Sequence, residues 1–481
     1  MNRVPNPIRL LILGIGVALA RAGLVSREHV RRTTDLSWPR IVTGIARMSK
    51  NAVDVAMVGI AVGSVGIAGV GLASPYWGIA FSLGGGFAAG TIALVSQRFG
   101  ANANDQLGRA ILSSAALVVA ITLPVMLAFF LFPVELLSIL TGDAETVDLG
   151  ARYLRVLSFG VPFAALNLIG SRIYIGVDDA WTPMLLRSGG AITNIVLNGV
   201  FIFGLGMGVD GAALGTVVSN ALVTCTFVVA LVAGRLPLVG SLPVQVSPNL
   251  ADVDPGDLRQ IVDIGLPVVG RNLVWTVAKF PMLFIVGLFG PTVLAAYVIS
   301  RRIWGLMNTP GWGFALAASS LVGQELGAGD EAAAEAYAKD IILFSVATYA
   351  VSAILVAIFA EPIVRSFVDN PSDPAVPIAV ALVYAACVAV IAQGVKAAAA
   401  GPLDASGDTS WPFYSQVIGM FIFSLPIAYL GATSSLGLWG LYLSFAAETI
   451  VPAAINYQRF ATGKWKAISR EYRPDSPVAD D

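Results

Sequence analysis

The chain has 481 residues, 56% of them hydrophobic and only 12% charged, with a mean hydropathy of +0.79, a balance that a water-soluble globule with a charged surface does not show. A formal net charge of −1, with Lys and Arg scattered along the chain, leaves no basic stripe for nucleic acid. The single His29 and the distant Cys225 and Cys387 lack the parts of a His/Cys metal site or a catalytic triad, so neither an enzyme nor a metal or organic cofactor is expected.

In chain order, Arg3 and Arg9 precede the apolar run from Leu10 to Ala20, and Ala18-Leu19-Ala20 has the form of a signal-peptide cleavage site. Arg21, Arg27, Arg31 and Arg32 follow at once and favour a helix lying in the cytoplasmic interface over a cleaved signal, so residues 1–37 read as a cytoplasmic segment. Twelve apolar windows come next, at 38–60, 68–97, 108–132, 149–173, 183–206, 210–233, 265–288, 292–323, 340–360, 376–401, 411–431 and 436–458. Each approaches the roughly 20 residues that a membrane span needs. Residues 38–235 are expected to form one lobe of six spans and 265–460 a second. The Pro- and Asp-rich stretch 236–264 reads as a cytoplasmic linker and 461–481 as a cytoplasmic tail.

Basic residues mark alternate loops: Arg98 and Arg109, Arg187, Arg235 and Arg259, Lys339, and the tail with Arg459, Lys464, Lys466, Arg470 and Arg473. The loops near Gly63, Asp143, Gly206, Gly290, Asp369 and Ser434 hold almost none. By the positive-inside rule both termini are cytoplasmic.

An internal repeat recurs at an offset of roughly 228 residues. Trp38-Pro39 pairs with Leu266-Pro267, Val58-Gly59 with Val286-Gly287, and Trp77-Gly78 with Trp304-Gly305. Gln97-Arg98 pairs with Gln324-Glu325, Asp179 and Pro183 with Asp408 and Pro412, and Gly211 with Gly440. Six spans per half return the chain to the same face, so the halves should be parallel repeats about a pseudo-two-fold axis along the membrane normal, the symmetry of transporter folds.

The residues also carry a family likeness. The run from Asp54 to Gly59, the segment from Gly90 to Ala101, Asn194 and Asn198 before Phe201-Ile202-Phe203, and the stretch from Gly211 to Thr216 resemble the multidrug and toxic compound extrusion (MATE) family. The second half adds the segment from Leu321 to Ala328 and Ser406-Gly407-Asp408-Thr409, so the resemblance covers about residues 38–460. It implies two six-helix lobes in a V-shaped, alternating-access exporter driven by inward flow of H⁺ or Na⁺.

Asp54 is the sharpest single residue, because a carboxylate inside a span costs about 2.5–3.5 kcal/mol on insertion scales and usually marks function. The plainer account is an ion pair with Lys50 one helical turn away. The resemblance places the coupling ion at Asp54, with Asn194 and Asn198 on the fifth span, Thr216 on the sixth and Ser171 where some relatives carry another Asn. Asn198 stands where some relatives carry a second carboxylate, which favours H⁺ over Na⁺. Lys50, Trp77, Arg271, Lys279, Arg301 and Gln393 form a candidate substrate path, and an internal ion-pair network is the safer account of Arg302 and Glu448. Trp77, Trp275, Trp304 and Trp312 are expected to anchor helix ends at the interface. Asp178, Asp179, Asp404 and Asp408 are expected to cap helices at cytoplasmic turns. Gly84-Gly85-Gly86 and Gly90 are expected to serve close helix packing. Pro162, Pro281, Pro310 and Pro426 should break or bend spans.

The expected function is therefore export of small amphipathic compounds from a cell by exchange against H⁺ or Na⁺. The protein should sit in the plasma membrane and work as a monomer, without a nucleic-acid partner. A flippase for lipid-linked precursors and a membrane receptor or scaffold without transport are the alternatives. The flippase would want a larger, strongly cationic cavity.

Overall fold

The computed structural model describes residues 6–237, 239–247, 249–368 and 373–473. Arg3, the loop at Asp369 and the tail beyond 473 lie outside the described residues. The fold is an all-α membrane fold of twelve spans in two sets of six. Its side chains show the solvent directly: Ile60, Phe284 and Val388 are 79%, 70% and 68% exposed, a pattern suited to lipid rather than water.

The amino-terminal helix α1 (Pro7–Arg21) is opened by Asn6, whose side chain accepts the Ile8 amide, with Pro7 in the first turn. The next helix, α2 (Arg27–Val62), fuses the basic stretch to the first span without a break. At 1.5 Å per residue its 36 residues reach about 54 Å, well beyond the hydrocarbon core. After α3 (Ser64–Gly100), α4 (Asn104–Leu131) and the short α5 (Pro133–Ser138), the fourth span is broken into α6 (Ala144–Ser158) and α7 (Gly160–Gly176), which meet at 50°. The fifth is α8 (Trp181–Asn198), extended by a π-helical turn over Gly199–Gly204, and the sixth is α9 (Gly208–Ala233). In the linker, β1 (Arg235–Leu236) pairs antiparallel with β2 (Gly240–Ser241).

The second half repeats this order. It comprises α10 (Pro255–Val277) with α11 (Lys279–Gly287), α12 (Pro291–Met307), α13 (Thr309–Ala328), α14 (Glu331–Ile358), the short α15 (Ala360–Arg365) and α16 (Ala375–Ser406). Next come α17 (Ser410–Val417), a π-helical stretch over Ile418–Ser424, α18 (Leu425–Thr433), α19 (Leu438–Ala461) and a closing α20 (Lys464–Tyr472). Pro162, Pro281, Pro310 and Pro426 all fall within the first three residues of a new segment, α7, α11, α13 and α18. A proline lacks the amide that the preceding turn would bond, so it is tolerated there and interrupts what comes before. Among the described residues, nine helices are long and apolar enough to span a membrane and α6 with α7 makes a tenth. The charged first half of α2 and the break at Asn308 keep the remaining two spans from meeting that measure of length and composition.

The compact units divide the chain differently from the repeat. One unit runs from Val42 to Val269, and the other joins the segment up to Ile41 to the chain from Gly270 onward. Each half therefore lends the start of its first helix to the unit of the other half. In the Val42–Val269 unit, a Cβ on Gly86 would stand 2.7 Å from the Val269 amide nitrogen, and one on Gly90 would stand 2.7 Å from the Ile261 carbonyl. These glycines let α3 and the start of α10 touch backbone to backbone. In the other unit, Gly313 on α13 stands in the same relation to Ser37 on α2, whose carbonyl would lie 2.7 Å from a Cβ.

Ion pairs fix the same two docks with opposite polarity. Arg98 at the end of α3 clamps Asp257 at the start of α10, one bond being 2.8 Å, and donates to the Gln106 carbonyl at 2.7 Å. At the repeat-related place, Glu325 on α13 lies 3.7 Å from Arg32 on α2. Arg32 also donates to Gln324 at 2.7 Å and to the Tyr337 hydroxyl at 2.9 Å.

Candidate functional site

Within the Val42–Val269 unit, α8 places Asn194 and Asn198 one turn apart on one face, and the π turn begins immediately after Asn198, a local irregularity common at functional sites. Asn198 Nδ2 donates to Asp54 Oδ1 at 2.8 Å, and Lys50 Nζ donates to Asp54 Oδ2 at 2.6 Å. Asn194 Nδ2 donates to Thr216 Oγ1 at 3.1 Å and to Ser219 Oγ at 3.4 Å. Asn194 and Asn198 are fully buried and Thr216 nearly so. Four of the five expected coupling residues are thus brought together from α2, α8 and α9, with Lys50 beside them.

Gly215 makes room for this arrangement: a Cβ there would stand 1.9 Å from Asn198 Oδ1. That oxygen is buried without a donor, leaving an open acceptor beside the carboxylate. Ser171 is buried in α7 but does not line the cavity that Asp54 faces. Asn167, one turn earlier on α7, does so, donating to Asn220 Oδ1 at 3.0 Å and accepting from Thr224 at 2.9 Å. The two residues lie four apart on nearly the same face of α7, so the displacement is one of about 6 Å along the helix axis and not one of rotation.

The cavity has a volume of about 460 Å³, within the range of small-molecule sites. Lys50, Asp54 and Trp77 line it, joined by Arg47, Tyr153 and Arg187. Arg187 is not the loop residue that the charge pattern implied; it lies in the second turn of α8. Trp77 likewise stands inside α3 on the cavity wall instead of at a helix end.

The model of the MatE family matches residues 39–200 and again 267–430, two segments that begin at the repeat's own spacing. The chain belongs to the MATE family of multidrug efflux transporters. Among its relatives, the "Probable multidrug resistance protein NorM" of Bradyrhizobium diazoefficiens is 26% identical over 89% of this chain and 92% of its own length. Its namesake in Rhodopseudomonas palustris is 28% identical over 90% and 92%. A solved MATE in a bent conformation superposes with a TM-score of 0.83 at 21% identity, covering 98% of this chain and 100% of that one. A MOP-superfamily transporter from Pyrococcus furiosus, described as having a binding pocket of reverse polarity, matches at 0.82 and 21%, over 97% and 99%.

The rest of the expected substrate path lies in the other unit of this MATE transporter. Arg271 on α10 forms two bonds to Asp404, at 3.1 and 2.9 Å. Arg301 on α12 forms two to Glu448 on α19, at 2.9 and 3.2 Å, and Trp275 donates to the same carboxylate at 3.4 Å. Lys279 sits 3.7 Å above the Trp275 ring, and Gln393 is buried in α16. The partner of Glu448 is thus Arg301 and not Arg302, which is exposed. Neighbouring residues on a helix point about 100° apart, so only one of the two can face α19. Asp404 and Asp408 are not caps either: Asp404 lies inside α16, and Asp408 binds Arg459 at 2.6 Å. Asp179 does cap α8, accepting from the amides of Trp181 and Thr182 at 3.0 Å each. Trp304 is buried against Phe445, and Trp312 lies beneath Arg40.

Proposed function

We propose that the protein exports small amphipathic organic molecules by exchange against protons, with Asp54 as the coupling-ion site. The observation that carries this reading is the double bond set of Asp54, held by Lys50 on its own helix and by Asn198 on α8. Neutralising the carboxylate weakens both bonds at once and loosens α2 from α8. That converts a local proton into a helix movement.

Oxygen donors cluster as a proton or a hard cation requires: the carboxylate, Asn194 Oδ1, Thr216 Oγ1 and the open Asn198 Oδ1. The Lys50 ammonium, 2.6 Å from Asp54 Oδ2, occupies the place a Na⁺ ion would take, which favours H⁺ over Na⁺. The names of the relatives support multidrug cargo, and the apolar walls of the cavity suit it. The lipid-linked flippase is favoured by the basic lining but opposed by the cavity's volume, which fits a drug-sized molecule. In the plasma membrane both termini would face the cytoplasm by the distribution of Lys and Arg.

The test uses vesicles containing the purified protein, with a pH or Na⁺ gradient imposed and dye export followed. Wild type should export when protons flow inward, and Asp54→Asn should bind dye yet show no dependence on the gradient. Equal export by both proteins would overturn the coupling role. Export driven by Na⁺ alone would overturn the choice of proton. If the pair with Lys50 were only structural, Lys50→Gln and Asp54→Asn would lower stability alike and leave gradient dependence intact.

A further inference from the structure

Apart from Asp54, the charge lining the Val42–Val269 cavity has one sign. Arg47, Lys50 and Arg187 face it against that single carboxylate among the described residues, and Lys50 already neutralises the carboxylate. Arg187 and its neighbour Arg172 on α7 have no hydrogen-bond or ion-pair partner among the described residues, and each buries its Nη1 atom unbonded. Arg187 is half-buried, and Arg172 and Arg47, both of like sign, stand near it. In the other unit, by contrast, Arg271 and Arg301 each grip a carboxylate with two bonds.

A cation within a span costs about 2.5–3.5 kcal/mol on insertion scales, and like charges at close range add to that cost. Arg187, the seventh residue of α8, lies about 10 Å along the helix from its start. A planar guanidinium with spare donors is matched by a carboxylate, phosphate or sulfonate group. Around it the wall is apolar and aromatic, with Trp77, Phe81 and Leu157, and Arg47 itself lies 5.1 Å above the Phe81 ring.

We propose that this cavity binds an organic anion, its charged group held at Arg187 with Arg172 and Arg47 behind it and its aromatic or aliphatic body against Trp77 and Phe81. The inference rests on the transport reading only for the statement that the bound anion is cargo. It carries a sign. Neutralising Asp54 makes the cavity more positive and tightens an anion, whereas it would loosen a cation. Exchange against a proton then runs through the movement of α2 when the Lys50–Asp54 pair opens, and not through competition for charge.

Equilibrium dialysis of the full-length protein in detergent tests this, with pyrene-1-butyrate, pyrene-1-butylamine and the neutral methyl ester of the acid as probes of one body and three charges. The anion should bind about tenfold tighter than either analogue, and Arg187→Gln and Arg172→Gln should each weaken it about tenfold without touching the ester. Asp54→Asn should bind the anion more tightly than wild type. Binding of the amine as tight as that of the acid, or an unchanged anion affinity in both arginine variants, would overturn the proposal. Where a variant fails to fold, the charge series on the wild type and the sign of the Asp54→Asn shift decide it. The same probes in vesicles separate the two readings. An anion bound selectively but never exported leaves the site and removes the transport role. An exported amine with no bound anion leaves transport and removes the site.

Discussion

Asp54 combines two accounts that the sequence set against each other, since the Lys50 pair is present and the Asn198 bond is present too. Gly215 then becomes a positioning residue: Gly215→Ala must push the Asn198 side chain away, given 1.9 Å of available distance. Gradient-driven export by that variant should fail as it does in Asp54→Asn, while thermal unfolding shows a folded protein. Full export by Gly215→Ala would show that the Asn198 bond plays no part in coupling. The exchange of Asn167 for Ser171 as a lining residue has its own outcome. Ser171→Ala should leave dye export unchanged and Asn167→Ala should reduce it. In the other unit, Glu448 is 4% exposed and answers a half-buried Arg301, so Glu448→Gln should cost about 3–5 kcal/mol by stranding the guanidinium. Thermal unfolding of the purified variant reads that loss, and an unchanged midpoint would mean the pair is solvated.

At the scale of elements, breaks were the readable part, whereas of the expected caps Asp179 serves as one and Asp404 and Asp408 do not. Prolines announced the starts of α7, α11, α13 and α18 because they cannot continue the turn before them. Asp143 opens α6, accepting from the Thr146 hydroxyl and then from its amide at 3.0 Å. These two bonds hold its carboxyl below the ordinary carboxylate range. The sign follows: the stabilisation is complete above the ordinary carboxylate pKa and is lost as pH falls through the lowered value. Asp143→Ala should therefore unfold earlier than wild type near neutral pH, with the gap closing in acid; a gap that widens in acid would contradict the cap. Close helix contacts also belong to this scale. Gly86→Ala and Gly313→Ala each force a backbone apart and should cost about 1–3 kcal/mol, measured as a lowered unfolding midpoint in detergent. The π-helical stretches were not readable. They begin at Gly199 in the first half and Ile418 in the second, at places that do not correspond in the repeat, and a single extra residue in a turn leaves no periodic mark in an apolar run.

At the scale of the molecule, each half supplies the start of its first helix to the unit built by the other half. Residues 1–237 expressed alone lack Asp257 and so leave Arg98 without its carboxylate, and that fragment should aggregate or unfold. Co-expression with the remainder should restore a soluble, dye-exporting complex in detergent and vesicles. A stable first fragment on its own would argue against the exchange. The sequence by itself determined the solvent, the twelve spans, the duplication and the polar residues of α2, α8 and α9. Apolar length, turn residues and charge out of place in lipid are local properties, and they survive in a string of letters. Only the tertiary structure decided which of two adjacent arginines meets Glu448, that Asn167 stands where Ser171 was expected, that Arg187 faces a cavity and not a loop, and that the starts of α2 and α10 change units. Those outcomes depend on helix rotation, on how far along a helix a cavity reaches, and on backbone approaches between segments more than 150 residues apart, none of which has a local signature.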